Sequence, residues 1–166
     1  MVQVELTNVR VDLQTNTPVV LLQEMDGARR TLPIFIGAPE ATAIAFALQG
    51  VVPERPLTHD LMRDLLNAVG ASVERVVITE LRETTYYAEI RLHIDSRALT
   101  VSSRPSDAIA LAARLGTPLF VADDLLDAEG VVLSGDDEEN ADTNPEELVE
   151  QFRDFIEGIR PEDFSS

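Results

Sequence analysis

Cysteine is absent from all 166 residues, and with it go disulfide staples, thiolate zinc sites and cysteine nucleophiles. Histidine occurs twice, as His59 and His93, so one chain cannot assemble a three-histidine metal centre. Tryptophan is missing, and aromatics make up 5 % of the chain, too few for an extended platform on which single-stranded nucleic acid could stack. Lysine is missing as well: all 13 basic residues are arginine. Codon bias explains that more readily than a preference for forked contacts to carboxylate or phosphate. No apolar run approaches the ~18 residues of a membrane span. The alternating start MVQVELTNVRV reads as a strand rather than a signal peptide, which makes the cytosol the expected compartment.

What is present is a hydrophobic fraction of 45 %, enough for a real core, in a length that suits one domain with an appendage. Acidic charge gathers at the end. Residues 134–166 hold 12 acids against Arg153 and Arg160, which is −10 of the total −17 and leaves −7 for residues 1–133. Such a chain repels nucleic acid at long range, so any polyanion site must be local. Residues 134–145, SGDDEENADTNP, read as a solvated acidic linker. Beyond it Leu148, Phe152, Phe155 and Ile159 recur at helical spacing, the seam of an amphipathic helix that would dock on its own domain, on a neighbouring subunit or on a partner. The expected division is therefore a domain over 1–133 and an acidic linker with a helix over 134–166.

Alternation over 2–13 predicts a half-buried strand. Two more strands, Pro18–Met25 and Arg30–Ile36, are joined across Asp26-Gly27, a hairpin signal. Pro39 at a first helical position, then Ala41–Gln49 and Gly50, predicts a helix apolar almost all round. Thr58 is the expected N-cap of a second helix ending near Gly70. Strands over 72–82, 86–95 and 98–102 form a meander, with turns near Glu83-Thr84 and Ser96-Arg97. A third buried helix follows over Ser106–Leu115, then a short strand, Leu119–Ala122. Strands mixed irregularly with helices favour an α+β fold: a mixed, largely antiparallel sheet with buried helices packed on it.

The residues able to carry chemistry lie at helix beginnings. Glu40 enters the first turn of the first helix. Arg55-Pro56-Leu57-Thr58-His59-Asp60 and Arg104-Pro105-Ser106-Asp107 set a base, a hydroxyl and an acid around the next two. An acid in the first turn is stabilised by exposed amide N–H groups, by roughly 0.3–1 kcal/mol. Thr58 and Ser106 as caps, with Arg55 and Arg104 bracing loops, is thus one sufficient account. The other uses the same geometry: Arg55, Arg104 and Ser106 hold phosphate at helix N-termini. Glu40, Asp60 and Asp107 then hold a hard ion such as Mg2+ or Mn2+, with His59, Asp60 and Asp107 as the catalytic group and His59 moving the proton. Elsewhere the signals are weaker. His93 decorates a strand's polar face, and Ser102-Ser103 lacks the Gly-x-Ser-x-Gly setting of a hydrolase elbow. Tyr86-Tyr87 reads as sheet packing more readily than as a base-stacking platform. No glycine-rich phosphate cradle appears.

LPIFIGAPEA, RPLTHDLM and SSRPSDAIALAARLGTPLFVA, in this order, resemble the bifunctional nuclease (BFN) domain family over about residues 1–133. The resemblance implies a compact α+β domain, a homo-oligomer, and hydrolysis of DNA and RNA with little sequence preference. It supplies no agreed catalytic set, and the acidity of the domain departs from what a nuclease suggests. The competing expectation is a non-catalytic oligomeric interaction protein whose acidic tail recruits or repels partners. A tail that mimics nucleic acid and occupies the site would combine the two.

Overall fold

The structure is a computed structural model and describes residues 1–133; the expected linker and seam helix lie outside the described residues. Seven strands make one mixed sheet: β1 (Val2–Asp12), β2 (Thr17–Glu24), β3 (Thr31–Phe35), β4 (Ala71–Arg82), β5 (Thr85–Ile94), β6 (Arg97–Ser103) and β7 (Leu119–Val121). Their spatial order is β3-β2-β1-β7-β4-β5-β6. The short last strand sits in the middle, antiparallel to β1 and parallel to β4, and so joins two antiparallel halves into one sheet. Four helices accompany it: α1 (Ala38–Leu48), α2 (Thr58–Ala68), α3 (Pro105–Leu115) and α4 (Asp123–Glu129). The α+β expectation holds.

Period-two alternation explains the core. Ala88, Ile90 and Leu92 of β5 are buried, while Tyr87, Glu89, Arg91 and His93 between them are half-exposed. The buried set meets Val76 and Ile78 of β4 and the apolar run Ala108–Ala112 of α3 in one cluster that also takes in Val20, Leu22 and Ile44. Two hairpin turns close the meander, each over two residues. Glu83 and Asp95 adopt φ of 55°, a left-handed conformation that aspartate tolerates better than most residues and glutamate seldom takes.

Several local expectations are corrected. Helix α1 begins at Ala38, so Pro39 is its second residue and Gly37 its N-cap. Leu57, not Thr58, caps α2. A leucine side chain has nothing to donate or accept, so there is no side-chain cap, while Asp60 turns back and accepts from the Leu57 backbone N–H at 3.0 Å. Arg104, not Ser106, is the N-cap of α3. The second meander turn lies at Asp95-Ser96, one residue earlier than expected, and helix α4 was not anticipated at all. It is held by Arg30, whose guanidinium grips the buried Glu24 with two bonds and reaches Asp127 of α4 at 2.5 Å.

Helix α2 buries His59 and Asp60 while Leu57, Leu61, Leu65 and Val69, spaced by four, stay 40 to 62 % exposed. Met62 and Leu66 of the same helix pack against the core, so α2 has apolar side chains on two faces, one toward the domain and one toward solvent. At the sheet's edge, β3 is blunted by Pro33, which has no N–H to offer, and Val131 pairs with Thr31 in both directions at 2.7 and 2.9 Å. No helix of the described residues is long and apolar enough to cross a membrane.

Candidate functional site

The first turns of α1, α2 and α3 meet. Glu40 is the third residue of α1, Asp107 the third of α3 and His59 the second of α2. Arg104, just ahead of α3, links them. Its Nε donates to Asp107 Oδ2 at 2.7 Å and its Nη2 to Glu40 Oε1 at 3.1 Å. The other oxygen of Asp107 lies 3.0 Å from His59 Nε2. An ionised carboxylate only accepts, so that ring nitrogen carries the proton.

Exposure falls along this chain. The Arg104 side chain is 67 % exposed, Asp107 24 %, and His59 only 6 %. His59 therefore stands behind Asp107, seen from solvent. Burial would raise the Asp107 carboxyl, but hydrogen bonds from Arg104 and His59 outweigh it and hold the group below the usual aspartate range. At neutral pH Asp107 is a firm anion. That makes it a weak proton acceptor and a good anchor for a cation.

Backbone shape supports the arrangement. Glu40 folds back over the start of α1 so closely that a Cβ on Gly37 would meet its carboxylate. Beside the network opens a cleft of about 290 Å³, lined by Arg104, Ser106, Gly37 and the Thr84–Tyr86 stretch at the β4–β5 turn. Ser106 thus comes to the same place as Arg104.

Two expected members stand elsewhere. Arg55 is exposed and forms no ion pair among the described residues. Asp60 pairs with Arg114, whose Nε donates to Oδ1 at 2.6 Å and whose Nη1 donates to the Ala43 carbonyl at 2.7 Å. Both side chains are buried, at 8 and 4 % exposure, so one arginine ties α1, α2 and α3 together. Burial raises the Asp60 carboxyl, while Arg114 and the Leu57 amide pull it down further, and the net position is below the usual range. Asp60 belongs to this brace and to a separate cleft of about 330 Å³ between Val52 and Arg63.

The three-carboxylate ligand set is consequently not assembled. Among the described residues no group of three His, Asp or Glu stands close enough to hold a metal ion. Two carboxylates, Glu40 and Asp107, do converge on one cationic group, the Arg104 guanidinium. These two are the carboxylates that could contribute to holding a hard cation, which takes one or two carboxylates together with water and substrate phosphate. The sequence reading missed Arg114, although a lone cation inside the apolar helix ALAARL was its signal. It also missed the threonines of the cleft, which carry no motif.

Residues 20–134 match the family model described as Bifunctional nuclease domain. The chain belongs to that family. Among its relatives, an uncharacterized protein of Mycobacterium tuberculosis is 44 % identical over 167 residues, covering 100 % of this chain and 99 % of the relative. Bifunctional nuclease 2 of Oryza sativa subsp. japonica is 29 % identical over 119 residues, 69 % of this chain but 36 % of the plant protein. Bifunctional nuclease 1 of Arabidopsis thaliana is 26 % identical over 117 residues, again 69 % and 36 %. The Glu40–Arg104–Asp107 link joins two blocks of the matched span, and His59 comes from a third.

Proposed function

We propose that this bifunctional nuclease domain hydrolyses phosphodiester bonds of DNA and RNA at the junction of Glu40, Arg104 and Asp107. The observation that carries the reading is the convergence of two helix starts on one exposed arginine, with a third helix start joined through the His59–Asp107 contact, beside an open cleft. Family membership and the plant relatives' names support it.

Arg104 is the phosphate-gripping group. Its fork is aimed by two carboxylates, and its exposure leaves it free to turn to a substrate oxygen. Glu40 and Asp107 would hold magnesium or manganese, and the ion, when bound, supplies charge neutralisation and an acidified water. Asp107 stays ionised throughout because Arg104 and His59 hold it so. His59 acts as a positioning residue that fixes the Asp107 carboxylate from behind. Ser106 offers a hydroxyl to the phosphate at the cleft wall.

The test is a set of matched preparations: wild type, Asp107→Ala, Arg104→Ala and His59→Ala, assayed on labelled single-stranded DNA and RNA with magnesium or manganese. Asp107→Ala and Arg104→Ala should each lose about 100-fold or more in kcat/KM. His59→Ala should lose less, and His59→Gln, which keeps a donor, should recover part of it. Equal degradation by all four proteins marks a contaminant and ends the proposal.

A second reading, a self-associating interaction protein, is favoured by one observation, the outward row Leu57, Leu61, Leu65 and Val69 along α2 and its two ends. Homo-oligomerisation through α2 is compatible with catalysis, since the row does not include Glu40, Arg104 or Asp107.

A further inference from the structure

The cleft beside Arg104 contains more than phosphate chemistry. Phe35, at the end of β3, lines it and is 55 % exposed, unusual for the largest apolar side chain in its stretch. Tyr86, at the start of β5, lines it too, half-buried against the core, with its phenol kept neutral by burial and by the nearby Glu129 charge. Thr84 and Thr85 add hydroxyls, and Arg104 and Ser106 complete the lining. At about 290 Å³ the space lies at the lower end of small-molecule sites, enough for one ring system and little more.

From these residues we infer that the cleft is a slot for one unstacked nucleobase of a single-stranded nucleic acid. The inference rests on the nuclease reading for the strand that carries the base. Aromatic side chains stack any base, since every base has a π-face, so the slot adds grip without sequence preference. The threonine hydroxyls meet the base edge as donors or acceptors. Arg104 sits where the adjoining phosphate would lie, so one base and one phosphate are gripped together. A duplex cannot use the slot without unpairing, so single strands and unpaired loops are the preferred substrates. The chain's −17 charge makes this local grip more important, because long-range attraction is lacking.

The experiment measures binding apart from cleavage. A fluorescein-labelled single-stranded hexanucleotide with phosphorothioate linkages is titrated with wild type, Phe35→Leu and Tyr86→Leu, alongside an abasic strand of equal length and a duplex. Wild type should bind the base-bearing strand roughly 5- to 100-fold more tightly than the abasic one. Each leucine variant should lose most of that ratio while binding the abasic strand as wild type does. If wild type binds both strands equally, the slot is refuted. Leucine variants that retain the full ratio refute it too. Should Tyr86→Leu fail to fold, Phe35→Leu and the wild-type abasic comparison decide. Wild-type cleavage of an ordinary strand, run in parallel, separates the two claims. Cleavage without base discrimination overturns the slot and leaves the nuclease reading standing. Discrimination without cleavage supports the slot and overturns the nuclease.

Discussion

Replacing Arg114 by methionine should be among the most damaging single changes in the described domain. Methionine keeps most of the stem's volume but removes the guanidinium, so the loss is electrostatic rather than a cavity. Asp60 would then be a buried carboxylate left with the Leu57 backbone amide and the more distant Arg63 guanidinium at 3.8 Å, and the Ala43 carbonyl would lose its side-chain donor. Breaking a buried pair from one side costs about 3–5 kcal/mol, against a total stability of about 5–15 kcal/mol. For a domain of this size that corresponds to a melting temperature lower by roughly 10–20 °C.

The pH dependence gives the sharper check. In the wild type Asp60 titrates below its ordinary value, so its stabilisation is present above the unfolded-state pKa and is lost as pH falls through the lower folded one. In Arg114→Met burial is opposed only by the Leu57 amide and Arg63, so the carboxyl rises from its wild-type position and the variant gains relative stability as acid neutralises it. The difference between the two proteins should therefore shrink steadily from neutral pH toward pH 4. Urea denaturation at a series of pH values measures it. Asp60→Asn combined with Arg114→Met should recover part of the loss, because no unpaired charge remains buried. A cost under about 1 kcal/mol at pH 7, or one independent of pH, would refute the assignment of this pair as a structural brace.

Three further outcomes follow from the same structure. Gly37→Ala should move the Glu40 carboxylate, the flexible end that a Cβ would meet, with little change in melting temperature but a clear fall in kcat/KM; unaltered cleavage would show that the Glu40–Arg104 contact is dispensable. Leu61→Glu together with Leu65→Glu should lower the mass measured by light scattering to that of one chain, with the fold retained in circular dichroism; an unchanged mass would remove α2 from any interface. Magnesium titrated by calorimetry into Glu40→Gln or Asp107→Asn should bind at least about 10-fold more weakly than into wild type, and equal affinity would detach the metal from these carboxylates.

The alternation of β1 and β5, the apolar runs of α1 and α3, and the proline and glycine punctuation between them carry the α+β architecture directly. Each is a local consequence of side-chain period and backbone freedom. The same local logic placed Glu40, Asp60 and Asp107 in first helical turns, where amide N–H groups favour an acid. It could not tell which arginine each acid would meet. Glu40 finds Arg104 across 64 residues, Asp60 finds Arg114 across 54, and His59 finds Asp107 across 48. Two stretches with the same Arg-Pro opening and a following aspartate end differently. Arg104 gathers two carboxylates at the surface, while Arg55 forms no ion pair among the described residues and Asp60 turns inward to a helix brace. A helix start fixes the direction of its first side chains, but the identity of the neighbour depends on how whole helices lie across the sheet. Only the packed chain decides that.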